Sequence, residues 1–166
     1  LIASCLLFGS LGGSGLLIAN RRDLKGFIRE LRTNPPMFFM GVNTLFNALM
    51  HTRGFEAIDF SQLTATVAGG MALQGAVAER WKAATGCDVT QGWGLTEASP
   101  VVCCNPLIGS DARFNGSVGL PLPSTELSVR DEAGVELGIG TVGELCVRGP
   151  QVMQGYWQLM QSMVSR

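Results

Sequence analysis

The chain has 166 residues, 46% of them hydrophobic and 15% charged, with a formal net charge of −1. That length suits one ordinary domain with a real core, and the near-neutral charge excludes the basic footprint of a nucleic-acid binder. The charged share is well below the about 25% of an average domain. An apolar chain that opens without Met is expected to be a piece of a larger protein, with faces meant for partners.

The opening "LIASCLLFGSLGGSGLLIA" carries no charge and is long enough to suggest a membrane span. "GSLGGSG" breaks the run as a helix end and turn would, and no basic residues precede it as in a signal peptide. It is read as a buried helix, a glycine turn and a buried strand over 15–19. Asp23 can cap a helix with Leu24, Phe27, Ile28 and Leu31 on one face, and Pro35-Pro36 ends it. "MFFMG" (37–41) suits a strand buried on both faces, and Asn43 can cap the helix "TLFNALMH". "ATVAGG" (65–70) reads as a strand ending in two glycines. "LQGAVAERWKAAT" (73–85) reads as a helix with Leu73, Val77, Trp81 and Ala84 inward and Gly86 as its stop. "CDVTQ" (87–91) is the next strand.

Strands alternating with helices make an α/β fold with a mostly parallel sheet and flanking helices. Beyond "NPLIGSDARFNG" (105–116) the helical period stops. "ELSVR" and "GELCVRG", with "DEAG" as turn chemistry between them, read as antiparallel hairpins of a barrel-like subdomain. The expected division is 1–107 and 108–166, both partial, and the last residues stop without a closing element.

In open parallel sheets, ligands bind outside the carboxyl ends of the strands. The segments Gly41-Val42-Asn43, Ala68-Gly69-Gly70-Met71 and Gly92-Trp93-Gly94-Leu95-Thr96-Glu97 fall there and are expected to face one crevice. Trp93 reads as a loop residue whose flanking glycines let a flat ligand lie against the indole. Thr96 offers a hydroxyl to a phosphate oxygen. Glu97 offers an oxygen to Mg²⁺, which usually takes one or two carboxylates plus substrate phosphates. The alternative is structural: Trp93 packs the sheet rim, and Thr96-Glu97 cap the next helix.

"AGGMALQ", "GWGLTEASPVV" and "GELCVRGPQVMQGYW", in that order along the chain within 1–157, resemble the adenylate-forming superfamily. Within it, "GVNTLFNALM", "GSVGLPLPSTELSV" and "GPQVMQGYW" resemble bacterial long-chain fatty acid:CoA ligases. The resemblance implies a ligase that couples a fatty acid to ATP as acyl-adenylate and passes it to coenzyme A. It implies that Trp93 takes the place of an aromatic, commonly Tyr, that stacks on adenine. Gly69 and Gly70 would border the adenine and the acyl chain, with Gln91 and Gly92 beside the adenine edge. Met71 and Gly94 complete the implied nucleotide-binding set, Thr96 would meet the α-phosphate, and Glu97 would hold Mg²⁺. Thr96 and Glu97 are thus the implied catalytic residues. The family's phosphate loop, its ribose-binding Asp and the Lys of its mobile C-terminal domain find no match here, so the isolated chain is expected to be inactive. An acyl-AMP ligase without coenzyme A, and a non-catalytic remnant that is at most a binding module, remain alternatives.

"TLFNALM" and "PVVCC" could line an alkyl tunnel, at about 0.8 kcal/mol per buried CH₂, or could be plain core. "RRDLKGFIRELR" is a basic amphipathic helix, with a face that is ordinarily solvated and alternatively a peripheral membrane contact. A cytoplasmic enzyme, on its own or on the inner face of the membrane, fits both. The cysteines at 5, 87, 103, 104 and 146 lack metal-site spacing, and His51 reads as a surface residue.

Overall fold

The computed structural model describes residues 5–20, 22–107, 109 and 113–157. The first four residues of the opening run, part of the 105–116 boundary and the tail after Trp157 lie outside the described residues.

The α/β reading holds. Asp23 caps a helix, its carboxylate accepting from the Gly26 N–H at 3.0 Å. That helix, α2 (Leu24–Thr33), buries Phe27, Ile28 and Leu31 and ends ahead of the prolines; a short helix, α1 (Leu7–Ser10), precedes it. There follow β1 (Phe38–Gly41), α3 (Asn43–Met50), β2 (Ala65–Ala68), α4 (Gly75–Thr85) and β3 (Val89–Gly94). Gly86 closes α4 in the left-handed region at φ 78°, where a Cβ would be strained. β1, β2 and β3 pair in parallel. β4 (Val101–Cys104) and β5 (Leu120–Pro121) extend the same sheet antiparallel from β3. β6 (Glu126–Arg130) and β7 (Glu144–Arg148) form a separate antiparallel pair. The "DEAG" turn forms as expected, with Asp131 Oδ1 accepting from the N–H groups of Ala133 and Val135, both at 2.9 Å.

Trp81 on α4 centres the main core. It is fully buried, stacks on Phe39 with ring centroids 5.4 Å apart and meets the edge of Phe46 at 4.8 Å. Its indole N–H donates to Thr66 Oγ1 at 3.2 Å, so helix and sheet are joined by a satisfied polar contact as well as by packing. A second, smaller cluster of Ala98, Val102 and Cys103 draws in Leu127 from β6 and Val147 from β7. This cluster seats the two-stranded sheet against the end of the larger one.

Several local expectations are corrected. Residues 15–19 form no strand, and Leu16 and Leu17 are exposed, because no described element lies over them; only Ile18 packs on the core. α1 is likewise exposed and not buried. β1 is buried on one face only: Phe39 is inward while Met40 is 36% exposed, as befits the edge of the sheet. Asn43 does not cap α3. Val42 holds the cap position, and Asn43 Oδ1 instead accepts from the Gln74 N–H at 3.0 Å, bracing the turn after β2. Ala84 is exposed, and Ala78 takes the inward place beside Val77 and Trp81.

Trp81→Ala removes the centre of the aromatic cluster. It is expected to cost about 3–5 kcal/mol of unfolding free energy, read as a lower urea midpoint by circular dichroism.

Candidate functional site at the carboxyl edge of the parallel strands

The parallel register sets Gly41 opposite Ala68 and Ala68 opposite Gln91, so three strands reach the same edge at the same level. The chain leaving β2 is drawn sideways at once: the Gly69 N–H donates to the Gly41 carbonyl at 3.1 Å. A Cβ at Gly69 would stand 3.7 Å from the Gly92 carbonyl oxygen, and one at Gly70 would stand 3.7 Å from Val42 Cγ1. The diglycine turn therefore lies between the chain that follows β1 and the strand that carries Trp93. Gly70 adopts φ 76°, so a side chain there is strained by backbone conformation alone. Met71 follows, half exposed.

Gln91 is buried, and its carbonyl accepts from the Asn105 N–H at 3.0 Å and from the Asn105 side-chain amide at 3.3 Å. Asn105 is itself buried and also donates to the Ser117 carbonyl at 2.6 Å, so one amide ties β3 to the chain beyond β4. Nothing in the composition singled out Asn105; its role comes from contacts distant in sequence.

Trp93 is not in a loop. It lies in β3, paired with Cys103 of β4, and packs half-buried on the second cluster beside Leu95. Its flanking glycines serve different ends. A Cβ at Gly92 would make only ordinary contacts, 3.5 Å from the Cys103 carbonyl oxygen and 3.6 Å from Cys104 Sγ. A Cβ at Gly94 would collide with the Pro100 carbonyl, where the β3–β4 register shifts. Gly94 is thus required by the fold itself, which the sequence reading assigned wholly to ligand access.

Thr96 and Glu97 form a 3-10 turn, Thr96–Ala98, directly after β3, with Thr96 exposed and Glu97 half-exposed. Among the described residues their side chains make no hydrogen bond to the diglycine turn. Glu97 instead meets the segment after β7: its carbonyl accepts from the Met153 N–H at 2.8 Å, and its Oε1 accepts from the Tyr156 hydroxyl. That hydroxyl holds the Glu97 carboxyl below the usual carboxylate range, and the carboxylate in turn raises the Tyr156 phenol. Tyr156 was missed by sequence reasoning, although it is the only tyrosine in the chain.

Burial pushes the Cys103 and Cys104 thiols up, away from redox or nucleophilic use. His51 is a surface residue, its Nε2 beside Arg80 at 2.9 Å. A cavity of about 380 Å³ lies between Arg130, Asp131, Val142 and Glu144 and shares no residue with the strand edge. Among the described residues no helix is long and apolar enough to cross a membrane.

Residues 1–157 match the family described as AMP-binding enzyme. A long-chain-fatty-acid–CoA ligase of Yersinia pestis is 51% identical over 158 residues, covering 95% of this chain and 28% of that protein. A benzoate CoA ligase of Burkholderia xenovorans superposes with a TM-score of 0.80 at 29% identity, covering 92% of this chain and 30% of that one. An anthranilate CoA ligase in complex with anthranoyl-AMP gives 0.77 at 26% identity, covering 87% of this chain and 28% of that one. The chain thus spans 28% of the length of the curated relative it matches.

A carboxyl held low in the fold stabilises it above its unfolded pKa, and that contribution is lost as pH falls through the folded pKa. In Tyr156→Phe the Glu97 carboxyl is therefore expected to titrate closer to its ordinary value, followed by carboxyl ¹³C chemical shift against pH.

Proposed function

The chain belongs to the AMP-binding enzyme family, and from that premise we propose that it is the nucleotide-holding middle of a long-chain fatty acid:CoA ligase. The observation that carries this is the convergence of the diglycine turn and β3: Gly69 lies against the Gly92 carbonyl, one residue before Trp93. Trp93, half-buried on the second cluster, is the next residue of that strand, and in this reading its indole offers the aromatic face for the base while the glycines leave the neighbouring backbone bare. An adenine fits that juxtaposition, with Gln91 and Gly92 along its edge and Met71 at the rim.

In this reading a fatty acid carboxylate attacks the α-phosphate of ATP, pyrophosphate leaves, and the thiol of coenzyme A displaces AMP to give the thioester. Thr96, exposed just past β3, donates its hydroxyl to the α-phosphate. The donor chemistry also suits Mg²⁺. Glu97 is an ionised, half-exposed carboxylate, and no cluster of three ligating side chains occurs among the described residues, so nucleotide phosphates would complete the shell. Bound there, the ion would neutralise phosphate charge as the α-phosphate reacts. The fatty acid preference follows the relatives at about half identity.

Titration with AMP is expected to change the tryptophan fluorescence of the chain, and Trp93→Phe is expected to remove that change. Gly69→Ala meets only ordinary contacts in the fold, so it should leave the urea midpoint nearly unchanged while weakening AMP binding at least about tenfold, a loss of about 1.4 kcal/mol. AMP binding by Gly69→Ala equal to that of the parent chain would refute the slot. Pyrophosphate release from ATP and a fatty acid by the isolated chain would refute the expectation that it is inactive.

A further inference from the structure

The segment that follows β7 is fastened at both ends. Gln151 Nε2 donates to Thr125 Oγ1 at 2.7 Å, at the entry to β6. Farther on, the Met153 N–H reaches the Glu97 carbonyl and the Tyr156 hydroxyl reaches the Glu97 carboxylate. The Glu97 turn is therefore held through its main chain and its side chain by one strap, residues 149–156, that comes from the other sheet. Thr96–Ala98 is only a single 3-10 turn, and a carboxylate on it would otherwise sample several rotamers.

The geometry points to Tyr156 as a positioning residue: its phenol fixes Glu97 Oε1, so that the carboxylate is presented to a divalent cation in one orientation, with Oε2 left for the metal. This rests on the adenylate-binding reading above, in which Glu97 is the metal-holding residue. Groups that orient a metal-binding carboxylate through a hydrogen bond are worth roughly 10- to 100-fold in metal affinity. The strap then also couples the two-stranded sheet to the nucleotide edge, because the same eight-residue stretch touches Thr125 and Glu97.

The test uses Mn²⁺ as the metal and AMP as the nucleotide, with the 166-residue chain and four variants. AMP binding is read by tryptophan fluorescence without metal, and Mn²⁺ binding is read by electron paramagnetic resonance in the presence of AMP. Tyr156→Phe is expected to raise the Mn²⁺ dissociation constant roughly tenfold while metal-free AMP affinity stays within a factor of about two. Gln151→Ala, which loosens the strap without touching Glu97, is expected to raise it by a smaller factor. Glu97→Gln combined with Tyr156→Phe should bind Mn²⁺ no more weakly than Glu97→Gln alone. Unchanged or tighter Mn²⁺ binding in a folded Tyr156→Phe chain overturns the role of Tyr156. If Tyr156→Phe does not fold, parental Mn²⁺ affinity in Gln151→Ala overturns it instead. Failure of the parent chain to bind AMP at all overturns the adenylate reading and this inference together, whereas AMP binding with metal affinity indifferent to Tyr156 overturns the inference alone.

Discussion

Gly41, Ala68 and Gln91 stand side by side because β1, β2 and β3 run parallel in that register. The placement of the diglycine turn against β3 depends on this alignment. Parallel strands must each be followed by a crossover, so their exits collect along one edge. The helices that make the crossovers are locked by Trp81, whose indole is satisfied by Thr66 and wrapped by Phe39, Phe46 and Phe55. A shift of one residue in β2 would turn the core-facing Thr66 and Ala68 to the opposite face and carry Gly69 away from the Gly92 carbonyl. Packing energy spent in the core thus appears at the edge as placement of bare backbone.

The second half of the site is built differently. β3 turns from parallel pairing with β2 to antiparallel pairing with β4, and the register shift at Trp93 and Gly94 is accommodated because Gly94 has no Cβ to meet Pro100. That irregularity ends the strand and releases the Thr96–Ala98 turn. The turn has little core of its own beyond Ala98, so it is steadied from outside by Met153 and Tyr156. The groups proposed to face adenine and the group proposed to face the metal thus rest on distinct supports: a parallel sheet for the first, a strap from the β6–β7 sheet for the second.

Much of the first support was legible in the sequence, because its signals are local. Asp23 three residues ahead of Gly26, the apolar run at 37–41, the diglycine after "ATVA" and Gly86 after "KAAT" each report a backbone event within a few residues. What failed depended on neighbours that local pattern does not name. Residues 15–19 have strand composition but no partner over them, and Met40 lies on an edge that composition cannot locate. Asn43 has the chemistry of a cap, yet its side chain is claimed by Gln74 thirty-one residues later. Trp93 between glycines resembles a loop residue until β4 pairs with it, and Tyr156 gains a role only through Glu97. Residue chemistry alone offered Trp93, Thr96 and Glu97 for base, phosphate and metal beside a structural alternative, and the family likeness favoured the first reading.

The most direct measurement of the central claim is photolabelling of the chain with 8-azido-AMP, followed by peptide mapping. Convergence of the diglycine turn with β3 predicts saturable label on two peptides distant in sequence, one carrying Gly69 to Met71 and one carrying Trp93, with both suppressed by excess AMP. Label confined to the β6–β7 sheet, or label that excess AMP does not suppress, would contradict it.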